Sequence, residues 1–390
     1  MKPKKSIIPV FIPHLGCPCR CVFCNQDSIT SVKCSENGKS MPTPDEVAGI
    51  IERGVEVSGK GAEVAFYGGS FTAISMSLQR AYLEVAHKYV SDNLLSGIRV
   101  STRPDAIDGD ILSELRRFGV STIELGAQSM EDKVLLLSRR GHTAADTVRA
   151  SRLIRDMNFS LILQMMVGLP GETPDSPMYT AGQIADLQPE GVRIYPTAIL
   201  KETELEEMWR RGEYSPLELS EAVNICTDLI VFFEERDIAV LRVGLNPSED
   251  LDSEVLAGVY HPAFGDLCRS ELVFRTTRRM LSDALDNEHG AHGRTAVFCV
   301  ADSQRSLFVG QHRSNIRRLI EVFQLEGICI CNKHRISATN YSVHKHNTNK
   351  VITTKSKVNI RDIINREQSL ATNTENPADE QVCVELLGIF

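Results

Sequence analysis

Short apolar runs alternate with amphipathic stretches through the first two hundred residues. The runs at 7–12, 62–67, 98–102, 122–127, 161–167 and 192–195 are too brief for helices and predict β-strands. Between them, apolar residues return at helical spacing: Val47, Ile50, Ile51 and Val55, then Leu78, Tyr82, Val85 and Tyr89, then Ile111, Leu112 and Leu115, then Val148, Leu153 and Ile154. Thr43-Pro44-Asp45-Glu46 reads as a capped helix start, Asp108 as a second cap and Gly119 as a helix stop. Six strand-helix units in series predict a parallel sheet with right-handed crossovers. Six units are too few for a closed eight-fold barrel, so the expected fold is α/β, an open, curved (β/α)6 partial barrel over 1–245 with its site at the carboxyl ends of the strands. A helix at 217–236 and a candidate strand at 238–243 complete it. Residues 246–294 are expected as a helical extension, 295–336 as a small α+β unit, and 337–390, rich in Asn, Thr, Ser and Lys, as a poorly ordered low-complexity tail.

Composition narrows the class. With 390 residues and 42% hydrophobic content the chain can bury a large core. Its longest apolar run, 161–170, is interrupted by Gln164 and falls well short of the roughly 18 residues a membrane span needs. Lys2, Lys4 and Lys5 precede an apolar run as in an export signal, but Pro9 and Pro13 break it and no small-residue cleavage site follows, so a cytoplasmic location is expected. The net charge of −8 argues against a wholesale nucleic-acid binder. Its distribution is uneven: residues 305–366 hold twelve Lys or Arg against three acids. A polyanion partner and a solvated basic tail both account for that. Eleven cysteines read as reduced thiols and metal ligands rather than a disulfide framework.

The organising motif is Cys17-Pro18-Cys19-Arg20-Cys21-Val22-Phe23-Cys24. Cys17, Cys21 and Cys24 make C-x3-C-x2-C, three thiols on one loop with no fourth at a matching distance. A structural zinc site would want a second pair about fifteen residues on, and Cys34 stands alone. Three thiolates suit a 4Fe-4S cluster with one iron left open; zinc or a disulfide is the alternative, and Cys19 is a bystander. This spacing, with Phe23 before the last cysteine, resembles the radical S-adenosylmethionine (radical SAM) superfamily. Pro13-His14-Leu15-Gly16-Cys17-Pro18 and Phe23-Cys24-Asn25-Gln26 are most similar to the branch around the catalytic subunit of Elongator. The resemblance implies a TIM-like partial barrel and a cluster whose open iron binds SAM. It further implies cleavage of SAM to a 5′-deoxyadenosyl radical that abstracts hydrogen from a substrate, and a one-electron donor of flavodoxin or ferredoxin type.

It also implies roles for residues at later strand ends. Gly68, Gly69 and Ser70, in Phe66-Tyr67-Gly68-Gly69-Ser70-Phe71-Thr72, would meet the SAM amino group, and Ser101 the ribose hydroxyls. Gln128 occupies a position similar to a cofactor-contacting glutamine of anaerobic coproporphyrinogen oxidases. Arg140 would grip the SAM carboxylate, for which a guanidinium is suited. Gln164, inside an apolar run, needs a partner that ribose or adenine would provide. The turn Gly168-Leu169-Pro170-Gly171-Glu172 would lie near the adenine and Tyr195 toward the substrate. His14, His142 and His261 are acid-base candidates or structural histidines, and Cys34, Cys226, Cys268, Cys299 and Cys383 are isolated thiols.

In the small unit, residues 307–319 resemble the centre of a KH domain, whose G-x-x-G loop clamps single-stranded nucleic acid. By that resemblance Gly310, Arg313 and Arg317 would meet phosphates, although Arg313 replaces the second glycine. An ordinary amphipathic helix through Ile316, Leu319, Ile320 and Phe323 explains the same residues. The Elongator likeness points to tRNA, at a uridine base. No acetyl-CoA segment is recognisable after the barrel, so a different modification, a small-molecule substrate as in the coproporphyrinogen oxidases, and a non-catalytic iron-sulfur or RNA-binding protein stay open.

Overall fold

The computed structural model of the protein describes residues 6–12, 20–25, 41–247, 249–286, 295–331, 351–354 and 381–385. Cys17, Cys19, Cys34 and His14 lie outside them. The chain divides into two units, Met1–Pro262 and Ala263–Phe390.

The first unit is built on seven parallel strands that follow one another in sequence across a curled sheet: β1 (Ile7–Phe11), β2 (Ala62–Tyr67), β3 (Leu95–Thr102), β4 (Val120–Gln128), β5 (Ser160–Val167) and β6 (Gly191–Pro196), then, past a short β7 (Ala198–Leu200), β8 (Ala239–Val243). Each strand pairs with its successor in the sheet, the order of a barrel and not of a doubly wound sheet, where strand order reverses. The half-barrel expected from six runs is therefore extended by a seventh strand. Helices α1 (Pro44–Ser58), α2 (Met76–Ser91), α3 (Gly109–Arg117), a short α4 (Asp132–Leu137), α5 (Ala144–Asp156), α6 (Ser176–Asp186), α7 (Glu204–Arg210) and α8 (Leu219–Glu234) make the crossovers.

Local chemistry sets their ends. Thr43 accepts from the Glu46 N–H at 3.2 Å while the Glu46 carboxylate accepts from the Thr43 N–H, a reciprocal cap that starts α1 where the sequence placed it. Asp108 Oδ1 accepts from Ile111 N at 2.8 Å and does the same for α3. Alternate strand residues split between two faces. On β2, Phe66 points to the helices and stacks on Tyr82 of α2, with ring centroids 6.1 Å apart. Burying each large side chain of this kind, Leu112 and Leu115 of α3 among them, stabilises by about 2 kcal/mol. The concave face is different. It carries Glu63, Arg99, Glu124, Gln164 and Arg193, one charged or amide side chain on each of β2 to β6.

Residues 246–294 do not form one extension. After α9 (Glu249–Glu254), β9 (Val255–Gly258) pairs antiparallel with β7 in the first unit. The long α10 (Phe264–Asp286) belongs to the second unit instead. Its Val273, Met280, Leu281 and Leu285 share a core with Phe298 of β10 (Thr295–Cys299), Phe308 of α11 (Arg305–Val309) and Ile316 of α12 (Ser314–Phe323). The helical face expected from Ile316, Leu319, Ile320 and Phe323 is turned to this core. The second sheet has the order β11 (Gly327–Cys331), β10, β13 (Gln381–Glu385), β12 (Val351–Thr354), and every pairing in it is parallel. Two of its strands thus come from the stretch expected as an unordered tail. Among the described residues no helix is long and apolar enough to cross a membrane.

Candidate active site at the carboxyl ends of the strands

The described part of the cysteine loop, residues 20–25, is fixed from several sides. Cys24 N donates to Cys21 O at 3.1 Å, closing a turn that carries both sulfurs. Val22 N donates to Ser138 O at 3.2 Å, Val22 O accepts from Leu205 N at 2.8 Å, and Asn25 Nδ2 donates to Lys201 O at 2.8 Å. Val22 packs with Ile199, Leu205 and Tyr214, while Phe23 packs on the cluster of Val134, Met166 and Leu169, as Tyr195 does. The segments after β4, β5 and β6 thus grip one short loop, and the small helix α4 presents Ser138 to it.

Arg140 joins this loop to β4. Its Nη1 donates to Cys21 Sγ at 3.2 Å and its Nη2 to Gly126 O at 2.7 Å. The side chain is buried, and its Nε has no partner among the described residues. The backbone oxygen of Arg140 accepts from Arg103, whose guanidinium is held by Asp105 at 2.9 and 3.1 Å. Gln128 ends β4 with φ +66° and a buried Oε1 that also lacks a partner there. Gly126 makes room for both: a Cβ on it would lie 2.8 Å from Gln128 Nε2 and 3.3 Å from Arg140 Nη2. Two orphaned buried polar atoms, on side chains that meet over Gly126 and one of which also touches Cys21 Sγ, want a bound group with both donor and acceptor atoms. His142 is buried next to them, its Nε2 3.3 Å from Ala127 O and its Nδ1 without a partner among the described residues. Burial, and then the charges of Arg140 and Arg103, bring its pKa down to about 4, so the ring is neutral.

At the end of β2, Gly68 turns the chain with φ +103°. Gly69, Ser70 and Ser101 line one small cleft with Tyr67, Phe71 and Ile74. Gln79 of α2 holds the loop by donating to Thr72 O and Ile74 O at 3.1 and 2.9 Å. Gln164 is placed elsewhere, below the strand ends, and its Nε2 donates to Glu124 Oε2 at 2.9 Å. The partner that this amide needs is another side chain of the protein.

Glu124 is the centre of a polar layer for which the sequence reading had no role. It is 0% exposed. Its Oε1 accepts from Arg99 Nη1 at 2.6 Å, Tyr67 Oη at 3.0 Å and Arg193 Nη2 at 3.0 Å, and Arg193 Nε lies 3.0 Å from Oε2 as a charge contact. Arg99 also reaches Glu63, whose other oxygen accepts from Thr122 at 2.9 Å. Burial pushes the Glu124 carboxyl up, but Arg193 and Arg99 together hold it below the usual carboxylate range. Burial, with Glu124 behind it, pushes the Tyr67 phenol up. The visible signal was a charged residue at the centre of otherwise apolar strands, as in Ile123-Glu124-Leu125. In the turn after β5, Glu172 Oε2 accepts from Gly168 N at 2.7 Å, and burial raises this carboxyl to about 7 against that bond.

Gly310, Arg313 and Arg317 belong to the second unit. Gly310, with φ +73°, and Arg313, with φ +62°, flank the turn between α11 and α12. Arg317 Nη2 donates to His312 O at 2.8 Å, closing that turn. His261 is half-buried near the end of the first unit. No group of three His, Cys, Asp or Glu side chains is gathered as a metal site among the described residues, which do not include Cys17.

The radical SAM superfamily profile matches residues 11–184, and that of the radical SAM C-terminal domain matches residues 189–273. An uncharacterized protein of Methanocaldococcus jannaschii is 31% identical over 239 residues, covering 59% of this chain and 72% of that one. The chain belongs to the radical SAM superfamily: it is a radical SAM enzyme, whose cofactors are a 4Fe-4S cluster and SAM. Within it, a tRNA uridine(34) acetyltransferase of the same archaeon is 34% identical over 129 residues, which is 32% of this chain. The chain spans only 24% of that relative's length. The solved structure of Methanocaldococcus infernus Elp3 with an N-terminal deletion shares the fold, with a TM-score of 0.53 over 72% of this chain and 63% of the other, at 20% identity.

The described residues fit these cofactors. Cys21 and Cys24 share one turn, an arginine N–H points at the Cys21 sulfur as donors do at metal-bound thiolates, and Arg140 and Gln128, whose side chains meet over Gly126, each keep a buried atom, Nε and Oε1, without a partner among the described residues.

Proposed function

We propose that this radical SAM enzyme modifies a base of tRNA in the cytoplasm, drawing its electron from a protein of flavodoxin or ferredoxin type. The observation that carries the chemistry is the pair of orphaned buried atoms, Arg140 Nε, on the guanidinium that touches the Cys21 thiol, and Gln128 Oε1, on the amide that meets this guanidinium over Gly126. The tRNA substrate is supported by the relative named for uridine 34, and by the basic stretch 305–366. Acetyl transfer is not carried over, because the match covers only a quarter of that relative.

In this reading Cys17, Cys21 and Cys24 hold the cluster, which when bound supplies one electron to the sulfonium of SAM and so initiates hydrogen abstraction. The chain's own residues bind, orient and shield. Arg140 takes the SAM carboxylate on its unused Nε. Gly68, Gly69 and Ser70 receive the amino group, Ser101 the ribose, and Gln128 a polar atom of the same molecule. Gln164 steadies Glu124, and a cofactor atom would take the amide's remaining hydrogen-bonding capacity. Phe23, Met166 and Leu169 exclude water on the side of the cysteine turn. His142 stays neutral and adds no charge beside Arg140. Gly310, Arg313 and Arg317 meet tRNA phosphates from the second unit.

The test is an oxygen-free reaction of reconstituted protein with dithionite, SAM and unfractionated tRNA. Release of 5′-deoxyadenosine that rises with tRNA, together with a new nucleoside mass, is expected. Release indifferent to tRNA, with nucleoside masses unchanged, would remove the tRNA substrate; SAM left intact would remove the radical chemistry.

A further inference from the structure

The charges of the concave face do not balance. Among the described residues its carboxylates are Glu63 and Glu124, and its guanidinium groups are Arg99, Arg193 and Arg242. Arg99 is taken up between Glu63 and Glu124, and Arg193 by Glu124. Arg242 is left over. It is the residue of β8 directly across the ladder from Arg193, so two like charges face each other on neighbouring strands, an arrangement that destabilises a sheet. Arg242 makes no ion pair with a described residue. Its Nε and Nη2 donate to the carbonyls of Gly244 and Leu245, at 3.0 and 3.1 Å, just past the carboxyl end of β8. These bonds hold the half-buried guanidinium at the mouth of the barrel without neutralising it. The tyrosines next to it supply no counter-charge: burial pushes the phenols of Tyr67 and Tyr195 up, so both stay protonated.

A half-buried cation with no anion beside it among the described residues is the mark of a binding group waiting for one. Tyr195, two residues beyond Arg193 on β6, is close to this cation and packs on the same apolar cluster, Val134, Met166 and Leu169, as Phe23 of the cysteine turn. An aromatic ring beside a guanidinium is the pairing with which proteins hold a nucleotide, the ring under the base and the cation on the backbone. We infer that Arg242 binds a phosphate of the substrate nucleotide, with its base laid against Tyr195 toward the cysteine turn. This rests on the tRNA substrate proposed above and adds the subsite at the β6–β8 side of the barrel.

Two measurements on the full, anaerobically reconstituted chain separate this subsite from the substrate reading. In the first, inorganic phosphate at a concentration matched in ionic strength to chloride raises the melting temperature of the protein by about 2 °C, and Arg242→Gln removes that rise. In the second, tRNA binding is followed against salt. Arg242→Gln weakens it and flattens the slope of log K against log salt by about 0.7, the share of one phosphate contact on a single strand, while Arg117→Gln on outer helix α3 leaves the slope unchanged. An equal phosphate effect in Arg242→Gln and the unaltered protein, or an unaltered slope in that variant, overturns the subsite. Acetate stabilising the protein as strongly as phosphate overturns the phosphate assignment in favour of a carboxylate. An Arg242-dependent phosphate effect in a protein that tRNA does not bind supports the subsite and overturns the tRNA reading alone.

Discussion

Replacing Glu124 by glutamine removes the one charge that Arg99, Arg193, Tyr67 and Gln164 all face. Arg99 keeps Glu63 as a partner, but Arg193 keeps the Tyr67 hydroxyl and no carboxylate among the described residues, and with the half-buried Arg242 across the ladder from it the concave face then holds two uncompensated cations. Breaking a buried pair by deleting one partner costs about 3–5 kcal/mol. For a unit of this size each kcal/mol moves the melting temperature by roughly 2–4 °C, so Glu124→Gln is expected to melt roughly 10 °C below the unaltered protein by circular dichroism in anaerobic buffer. Glu114→Gln, whose partners Arg80 and Arg117 are 51% and 72% exposed, should change it by no more than about 2 °C. The double variant Glu124→Gln with Arg193→Gln should recover part of the loss, since it removes the stranded cation along with its partner. The folded Glu124 lies below its usual range, so its contribution is complete above about pH 4.5 and is lost as pH falls through the lower, folded value. A Glu124→Gln variant that melts within 2 °C of the parent, or a double variant that shows the full sum of both losses, would refute the polar layer as the support of the barrel.

Other consequences concern the strand ends. Arg140→Lys should retain iron but lower SAM cleavage by about a hundredfold, because lysine cannot reach the Cys21 sulfur, the Gly126 carbonyl and a carboxylate together; unchanged turnover at saturating SAM would contradict that. Glu172 titrates near pH 7 with its folded pKa raised, so its protonated form contributes stability that is complete below about pH 4.5 and is lost as pH rises through 7. Glu172→Gln should therefore gain stability on the parent between pH 6 and 8 in denaturant titrations, and a constant difference across that range would refute it. Gly126→Ala should push Gln128 and Arg140 aside and weaken SAM binding in equilibrium dialysis while leaving the melting temperature within about 3 °C; full SAM affinity would count against the placement of both side chains.

Much of the half-barrel was legible because its strands are short runs rich in Val, Ile and Leu, and its helices carry their own caps, as Thr43 and Asp108 do. Local signals of this kind need no knowledge of distant partners. The polar layer lacked one: Glu124 could be seen inside an apolar strand, but its partner Arg193 is 69 residues away, and only the sheet brings them together. Arg140 was read for a carboxylate, while its bond to Cys21 spans 119 residues and depends on how the cysteine loop returns over β4. The pairing of β7 with β9 hid for the same reason, since each strand is only three or four residues long. Val351–Thr354 and Gln381–Glu385 hid differently, as β-branched or apolar runs inside low-complexity surroundings that a propensity window averages away. Gln164 is legible as an amide in want of a partner, and the sheet supplies Glu124 as one.

The most direct measurement is the iron and acid-labile sulfide content of oxygen-free protein, taken with SAM cleavage under dithionite. The account predicts iron and sulfide in the equal amounts a 4Fe-4S cluster carries, and loss of both cluster and cleavage when Cys17, Cys21 or Cys24 is replaced by alanine. Protein that holds no iron after anaerobic reconstitution, or a Cys21→Ala variant that still cleaves SAM at the parent rate, would contradict it.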